Sequence, residues 1–167
     1  MRRALAGIVL LGLITAMAAP AGAERPEEGI NQIRRISARY HSLTQATKDG
    51  FSATDECVAE PGLGGMGFHY VNVARIDATL DVNQPEAVLY APGKNGKRRL
   101  VAVEYLVVDA DQDLSTDGDR PSLFGHRFDG PMPGHFPGMP IHYDLHVWAW
   151  FDNPKGAYSA WNPRVSC

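Results

Sequence analysis

The chain has 167 residues, of which 44% are hydrophobic and 21% are charged, and its formal net charge at pH 7 is −3. This mildly acidic balance argues against partners such as nucleic acid or an anionic membrane surface, because both require clustered cations. The one basic cluster, residues 94–99 (KNGKRR), is predicted to lie at the tip and flank of a hairpin.

The N-terminal segment, residues 1–23, is predicted to be a cleaved secretory signal peptide. Met1-Arg2-Arg3 gives a positive start, an apolar run follows over 4–19, and the small residues Ala21-Gly22-Ala23 precede the cleavage site. An uncleaved anchor is the alternative, but the run is shorter than the roughly 20 residues of a usual membrane span. Cleavage would leave a single secreted domain, residues 24–167, without a transmembrane segment and with a charge of about −5. Its location would be extracellular or in the cell envelope.

The two cysteines, Cys57 and Cys167, are predicted to form a disulfide bond. Export places them in an oxidising compartment, and two cysteines allow one intramolecular pairing. Two free thiols or an intermolecular bond are the alternatives. The bond would tie the C-terminus to the region that follows the first helix.

Residues 24–50 are predicted to form one amphipathic helix. Its apolar residues recur at intervals of three or four, and Gly50 suits its end; they are Ile30, Ile33, Ile36, Tyr40 and Leu43. Residues 51–67 are predicted to be a linker with turn chemistry. This linker lacks the lysine and the hydroxyl residue of a phosphate-binding loop.

The remainder of the chain is predicted to be rich in β-strands, at residues 67–74, 86–91, 99–109 and 141–151. Asn95-Gly96 is a strong hairpin signal, so 86–91 and 99–109 are expected to pair antiparallel. The predicted fold class is therefore α+β. The N-terminal helix would pack on an antiparallel β-sheet or on a partly closed barrel, with one disulfide.

The strand IHYDLHVWAWF, residues 141–151, carries two histidines four residues apart. Because side chains alternate along a strand, every second residue lies on one face, which is either exposed or lines a cavity. The residues on this face are His142, Asp144, His146, Trp148 and Trp150. The other set, from Ile141 through Ala149, is a conventional core face. Residues four apart on a strand are about 13 Å apart, so His142 and His146 cannot share an ion directly on a straight strand.

A metal site on this face would need a ligand from a neighbouring strand. His69 lies on one predicted strand, and Glu104 interrupts the apolar run of another. A buried carboxylate is costly unless it is paired or bound to metal. The candidate metal or pocket residues are His69, Glu104, His142, Asp144 and His146, which suit Zn, Mn, Fe or Cu. The alternatives are a buried polar network, an exposed histidine set, and ion pairs of Glu104 with Arg75, Arg99 or Arg127.

Residues 109–140 form a long segment rich in aspartate, glycine and proline, which is typical of a lid, a binding loop or a disordered loop. Five carboxylates make an irregular calcium site one hypothesis: Asp109, Asp111, Asp113, Asp117 and Asp119. The spacing fails the EF-hand template, so the alternative is a solvated acidic loop. The sequence identifies no nucleophile motif and no catalytic residue.

The motifs ECVAEPGLGGMGFHYVN, RPSLFGHRFDGPMPGH and HYDLHVWAWFDNPKGAYSAWNPRVSC resemble a family of exported, mainly actinobacterial proteins of uncharacterised activity. The resemblance implies a secreted single domain and brings no activity, cofactor or catalytic residue. The leading hypothesis is a secreted protein with a His/carboxylate pocket that binds a divalent transition metal or a small molecule, with or without catalysis. The alternative is a non-catalytic module that binds carbohydrate or the cell envelope through exposed aromatic residues: Trp148, Trp150, Trp161, Tyr143, Phe151 and Tyr158.

Overall fold

The computed structural model describes residues 26–167, so the predicted signal peptide lies outside the described residues. The helical part comprises α1 (Pro26–Ser37), a 3-10 turn (Ala38–His41) and α2 (Leu43–Lys48). The strands are β1 (Ser52–Glu60), β2 (Gly64–Val71), β3 (Ala87–Pro92), β4 (Arg98–Val108), β5 (Ser122–Leu123), β6 (His126–Arg127), β7 (Asp129–Met132) and β8 (His142–Val147).

Six strands form one open sheet in the order β1-β2-β3-β4-β8-β7, and each neighbouring pair is antiparallel. Strands β5 and β6 form a separate two-stranded ribbon. The predicted α+β class with an antiparallel sheet is confirmed. The barrel alternative is wrong for this part of the chain, because β1 and β7 stay at opposite edges of the sheet.

The helical segment covers one face of the sheet. Ile33 and Tyr40 are buried there against alternate residues of the central strands, including Tyr105, Tyr143 and Leu145. The core face predicted for β8 is therefore correct for Tyr143, Leu145 and Val147. This packing leaves the other face of β8 directed away from the helices.

A second apolar cluster covers that other face, and it includes Ala87, Leu89, Leu106, Met139 and Trp148. The C-terminal segment packs there, because Val165 belongs to this cluster and Asn162 forms a β-bridge with Gly65. Every residue of β8 is consequently buried. The face that carries the histidines thus lies in the interior, between the sheet and a second layer of irregular chain.

The single helix expected over 24–50 is interrupted in the structure. The Ser37 hydroxyl donates a hydrogen bond to the Ile33 carbonyl, a contact that competes with the regular helical pattern and favours bending. Ser42 then adopts an extended conformation and accepts a hydrogen bond from the Gln45 N–H, which caps α2. The apolar periodicity continues across the break, which is why it predicts one long helix.

The linker predicted over 51–67 was wrong for most of its length, because β1 and the start of β2 occupy it. Strand β1 lies at the sheet edge and pairs with β2 from Ser52–Val71 to Glu60–Gly64, with irregular register between. Its described side chains are exposed or half-buried. A strand that is held by backbone pairing without burying a face shows no apolar alternation in its sequence.

The predicted hairpin between β3 and β4 is confirmed. Asn95 and Gly96 at its tip have φ values of 60° and 71°, which suit a tight turn between twisted antiparallel strands. The predicted disulfide is also confirmed, because Cys57 and Cys167 are bonded with their Cα atoms 5.6 Å apart. This bond ties the last residue of the chain to the edge strand β1.

Part of the 109–140 segment is regular. It contains β5, β6 and β7, and β7 pairs with β8 through Asp129–Asp144 and Met132–His142. The segment that connects β7 to β8 turns back over the sheet, where Met139 is buried in the second cluster. Among residues 26–167, no helix is both long and apolar enough to cross a membrane.

Candidate metal centre

Three strands bring the predicted site residues to one buried face. Glu104 on β4 pairs directly with His146 on β8, and Ala87 on β3 pairs with Glu104 from the other side. His69 on β2 pairs with Leu89 of β3, so the imidazole must reach across a strand to approach Glu104. The small side chain of the buried Ala87 leaves room for that approach.

The first His/carboxylate group contains His69, Glu104 and His146. One carboxylate oxygen of Glu104 lies 3.6 Å from His69 Nε2, and the other lies 3.6 Å from His146 Nε2. The three residues can each offer one ligand atom within 4.8 Å of the others. Ligands held by one tetrahedral ion at about 2.1 Å are about 3.4 Å apart, so the observed spacing is close to a coordination shell.

The second His/carboxylate group contains His135, His142 and Asp144, again with ligand atoms within 4.8 Å of one another. The imidazole rings of His135 and His142 have centroids 4.8 Å apart. His142 is fully buried and Asp144 is 5% exposed, whereas His135 lies at the surface. The two groups are adjacent, because Asp144 and Glu104 are close enough for their carboxyl groups to interact.

Several polar atoms of these groups are buried without a hydrogen-bond partner in the protein. They are His142 Nε2, Asp144 Oδ1 and both ring nitrogens of His146. The other nitrogen of His142, Nδ1, lies 3.2 Å from the Pro140 carbonyl, which favours protonation of Nδ1 and leaves Nε2 with a lone pair. Buried polar groups are nearly always satisfied, so this concentration of unpaired atoms needs a partner.

The three inward-facing imidazoles are neutral at physiological pH. Burial lowers the pKa of His69 to about 4, that of His146 to about 3 and that of His142 to about 4. The proximity of His135 contributes further to each of these lowered pKa values. A neutral imidazole is the form that binds a metal ion, so protonation does not compete with metal at these positions near pH 7.

The two carboxyl groups are held in an environment that disfavours their charge. Burial, followed by repulsion from Asp144, raises the pKa of Glu104 well above its usual range. Burial and the nearby Asp129 raise the pKa of Asp144 to about 7. The salt bridges within residues 26–167 give Glu104 only histidine partners and give Asp144 none. A bound cation would favour the ionised form of both carboxyl groups.

The arginines considered as partners for Glu104 interact elsewhere. Arg75 donates a hydrogen bond to the Pro85 carbonyl, Arg99 lies over the ring of Phe151, and Arg127 pairs with Asp117. The ion-pair explanation of the buried Glu104 is therefore wrong. Its nearest charged or titratable partners are the histidines and Asp144.

The structure brings the five sequence-predicted residues together, with His142 and His146 in different groups. Their separation follows from the strand geometry, which excluded direct sharing of one ion. His135 was not predicted as a ligand. The one sequence feature that could have indicated His135 is its position in a loop between two strands that could pair as a hairpin. Such a loop can fold back and place its residues over the strands that it connects.

The five aspartates of the acidic loop make contacts within the protein. Asp109 accepts a hydrogen bond from the Asp113 N–H, and Asp119 accepts one from the Ala110 N–H. Asp117 forms ion pairs with two arginines. Within the described residues, no three of the loop carboxylates bring oxygens within 4.8 Å of one another. Their geometry therefore lends no support to the calcium hypothesis.

The aromatic residues named for a carbohydrate-binding surface are not exposed. Trp148 and Tyr143 are buried, and the other four are half-buried. Trp150 also faces the helical side instead of the histidine side, because its indole N–H donates to the Ser37 hydroxyl. The chain turns just before it, where the Ala149 N–H bonds to the Val147 carbonyl.

Two surface clefts of about 350 Å³ and about 240 Å³ lie away from both His/carboxylate groups. The larger is next to α1 and the segment after β8, and the smaller is beside Glu86. No residue of either group lines them.

Comparisons of the chain with protein-family models, with curated proteins and with solved structures found no match. The resemblance to exported actinobacterial proteins stays a prediction.

Proposed function

We propose that this chain is a secreted protein that binds a divalent transition metal ion through His69, Glu104 and His146. The observation that carries the proposal is the placement of Glu104, whose two oxygens each lie 3.6 Å from a different histidine nitrogen. Two imidazoles and one carboxylate form a ligand set used by zinc and by non-haem iron, with further coordination positions left for water or substrate.

The electrostatics support a cation at this position. His69 and His146 are neutral, Glu104 is buried without an arginine or lysine partner, and both nitrogens of His146 lack hydrogen bonds within the described chain. Removing a carboxylate from water without a countercharge is costly. A bound ion satisfies the carboxylate and one nitrogen of each imidazole at once.

The ligand set also indicates what the centre could do chemically. An ion held by three protein ligands can polarise a carbonyl or phosphoryl oxygen, or lower the pKa of a bound water molecule. These are the properties of hydrolytic centres, and iron or copper would add redox chemistry. The side chains support a metal-binding role more directly than they support a particular reaction.

The test is the metal content of the protein purified without chelator, and again after stripping and reloading with Zn, Mn, Fe or Cu. We expect at least one equivalent per chain and a rise in melting temperature on reloading. An ion at a hundred times its Kd would stabilise the fold by about 2.7 kcal/mol. A chain that holds well under one equivalent and shows no shift with any of these ions would contradict the proposal.

Matched histidine variants assign the binding to this site. His146→Ala should remove one bound equivalent and reduce the thermal shift, whereas His126→Ala should leave both unchanged, because His126 stacks on Tyr158 and belongs to neither group. Loss of binding in both variants, or in neither, would contradict the assignment.

Export is proposed from the N-terminal sequence and is supported by the Cys57–Cys167 disulfide, which persists in oxidising compartments. Expression of the full chain in an actinobacterium should release a protein whose first residue is Glu24. Retention of an intact N-terminus in the cell pellet would contradict cleavage after Ala23.

A further inference from the structure

We propose that His135, His142 and Asp144 form a second binding position for a divalent transition metal ion, directly beside the first. This inference rests on the proposed function, because the two positions are neighbours and their carboxyl groups interact. Each position then has two imidazoles and one carboxylate. The centre would hold two ions for each chain.

The unpaired atoms of the second group support an ion at this position. His142 is fully buried and Asp144 is 5% exposed, yet His142 Nε2 and Asp144 Oδ1 have no hydrogen-bond partner in the described chain. The Pro140 carbonyl engages the other nitrogen of His142 and fixes the ring orientation. Such a backbone contact to the non-ligating nitrogen is the usual support of a metal-binding histidine.

Strand geometry argues for two positions in preference to one. His142 and His146 lie four residues apart on β8, too far apart to share one ion directly. The unpaired His142 Nε2 and Asp144 Oδ1 therefore need a partner other than an ion at the first position. In two-metal sites the ions are typically about 3.5–4 Å apart, so adjacent ligand carboxylates are expected there.

The loop between β7 and β8 presents His135 at the mouth of this position. Met139 anchors the loop in the second apolar cluster, and the His135 N–H contacts the Met139 sulfur at 3.3 Å. Gly134 lies against the Met139 backbone so closely that a side chain there would collide with it. His135 itself is exposed, which makes the second position the one that faces solvent and incoming ligands.

The experiment counts Zn²⁺ bound to the full mature chain after equilibrium dialysis, with Co²⁺ absorption as a second readout. We expect two equivalents in the wild-type chain and about one in His135→Ala. Because His135 is exposed, its removal should leave the fold intact, which circular dichroism can verify. His126→Ala should keep two equivalents. In His135→Ala, the second position should bind Zn²⁺ at least about tenfold more weakly, because it has lost one ligand.

The outcomes separate this inference from the proposed function. Suppose that the wild-type chain binds one equivalent, that His146→Ala loses it and that His135→Ala keeps it. This result would overturn the second position and would still support the first. Two equivalents in both the wild-type chain and His135→Ala would also overturn the assignment to His135. No bound ion in the wild-type chain would overturn both proposals.

Discussion

Glu104 faces His146 across the β4–β8 pair, and Glu104 Oε1 lies 3.6 Å from His146 Nε2. The same carboxyl group reaches His69 with its other oxygen. A single buried acid thus bridges two histidines that are 77 positions apart in the sequence. The predictions below follow from this arrangement and from the fold that holds it.

Glu104→Gln should separate metal binding from stability. Glutamine keeps the shape of the side chain but cannot ionise, and ionisation of this buried group is unfavourable, so the metal-free protein should be at least as stable as the wild type at pH 8. Its affinity for Zn²⁺ should fall by at least about tenfold, since it loses an anionic ligand. Thermal unfolding with chelator and with Zn²⁺ measures both effects. A metal-dependent shift as large as that of the wild type would contradict a ligand role for Glu104.

Glu86 should make stability fall as the pH rises. Burial raises the pKa of Glu86 to about 8, although Glu86 accepts a hydrogen bond from the Leu106 N–H. Because the folded pKa is above the unfolded one, the stabilising contribution is complete below about pH 4.5 and is lost as the pH rises through 8. Glu86→Gln should flatten this dependence, which is at most about 1.4 kcal/mol per pH unit. Urea unfolding at pH 5–8 with chelator measures it, and equal slopes in the two proteins would contradict the assignment.

Removal of the disulfide should cost about 4 kcal/mol of unfolding free energy in a Cys57→Ser/Cys167→Ser variant. The bond closes a loop across a sequence separation of 110, and the entropy lost by the unfolded chain grows with the length of such a loop. Denaturant unfolding of the oxidised protein and of the variant gives the difference. A loss below about 1 kcal/mol would show that the bond adds little beyond the contacts of the edge strand.

Gly67→Ala should destabilise the sheet far more than Gly62→Ala does. Both glycines have positive φ angles, 94° and 81°, so both variants carry backbone strain. A Cβ on Gly67 would lie 2.6 Å from the Tyr90 carbonyl oxygen, whereas nothing lies within 4 Å of one on Gly62. The extra cost of overpacking should be about 1–3 kcal/mol by denaturant unfolding. Equal losses of unfolding free energy in the two variants would contradict this prediction, because they would mean that β2 can move away from β3 without an energetic cost.

Local chemistry made part of this fold predictable. The Asn95-Gly96 turn specifies its hairpin within a few residues, and two cysteines allow one internal bond. The separation of His142 and His146 follows from the rise of a strand. These features depend on short stretches of sequence, where geometry and residue preference agree.

The features that could not be predicted depend on distant contacts. Strand β1 pairs through its backbone, and its side chains bury no continuous face, so its sequence resembles a linker. The position of His135 is set by Met139, which is buried against a sheet formed by other segments. Trp150 faces the helices and not the histidines because the chain turns at Ala149. No residue typical of turns marks this position in the sequence.

The position of β8 in the sequence determines when the proposed centre can form. Strand β8 comes last in sequence among the strands of residues 26–167, yet it lies between β4 and β7 in the sheet. A growing polypeptide therefore has no complete set of ligands until residue 146 has been made. If the chain is exported before it folds, the ion must come from the receiving compartment. Its identity would then reflect the metals available outside the cytoplasm more than the intrinsic preference of the ligands.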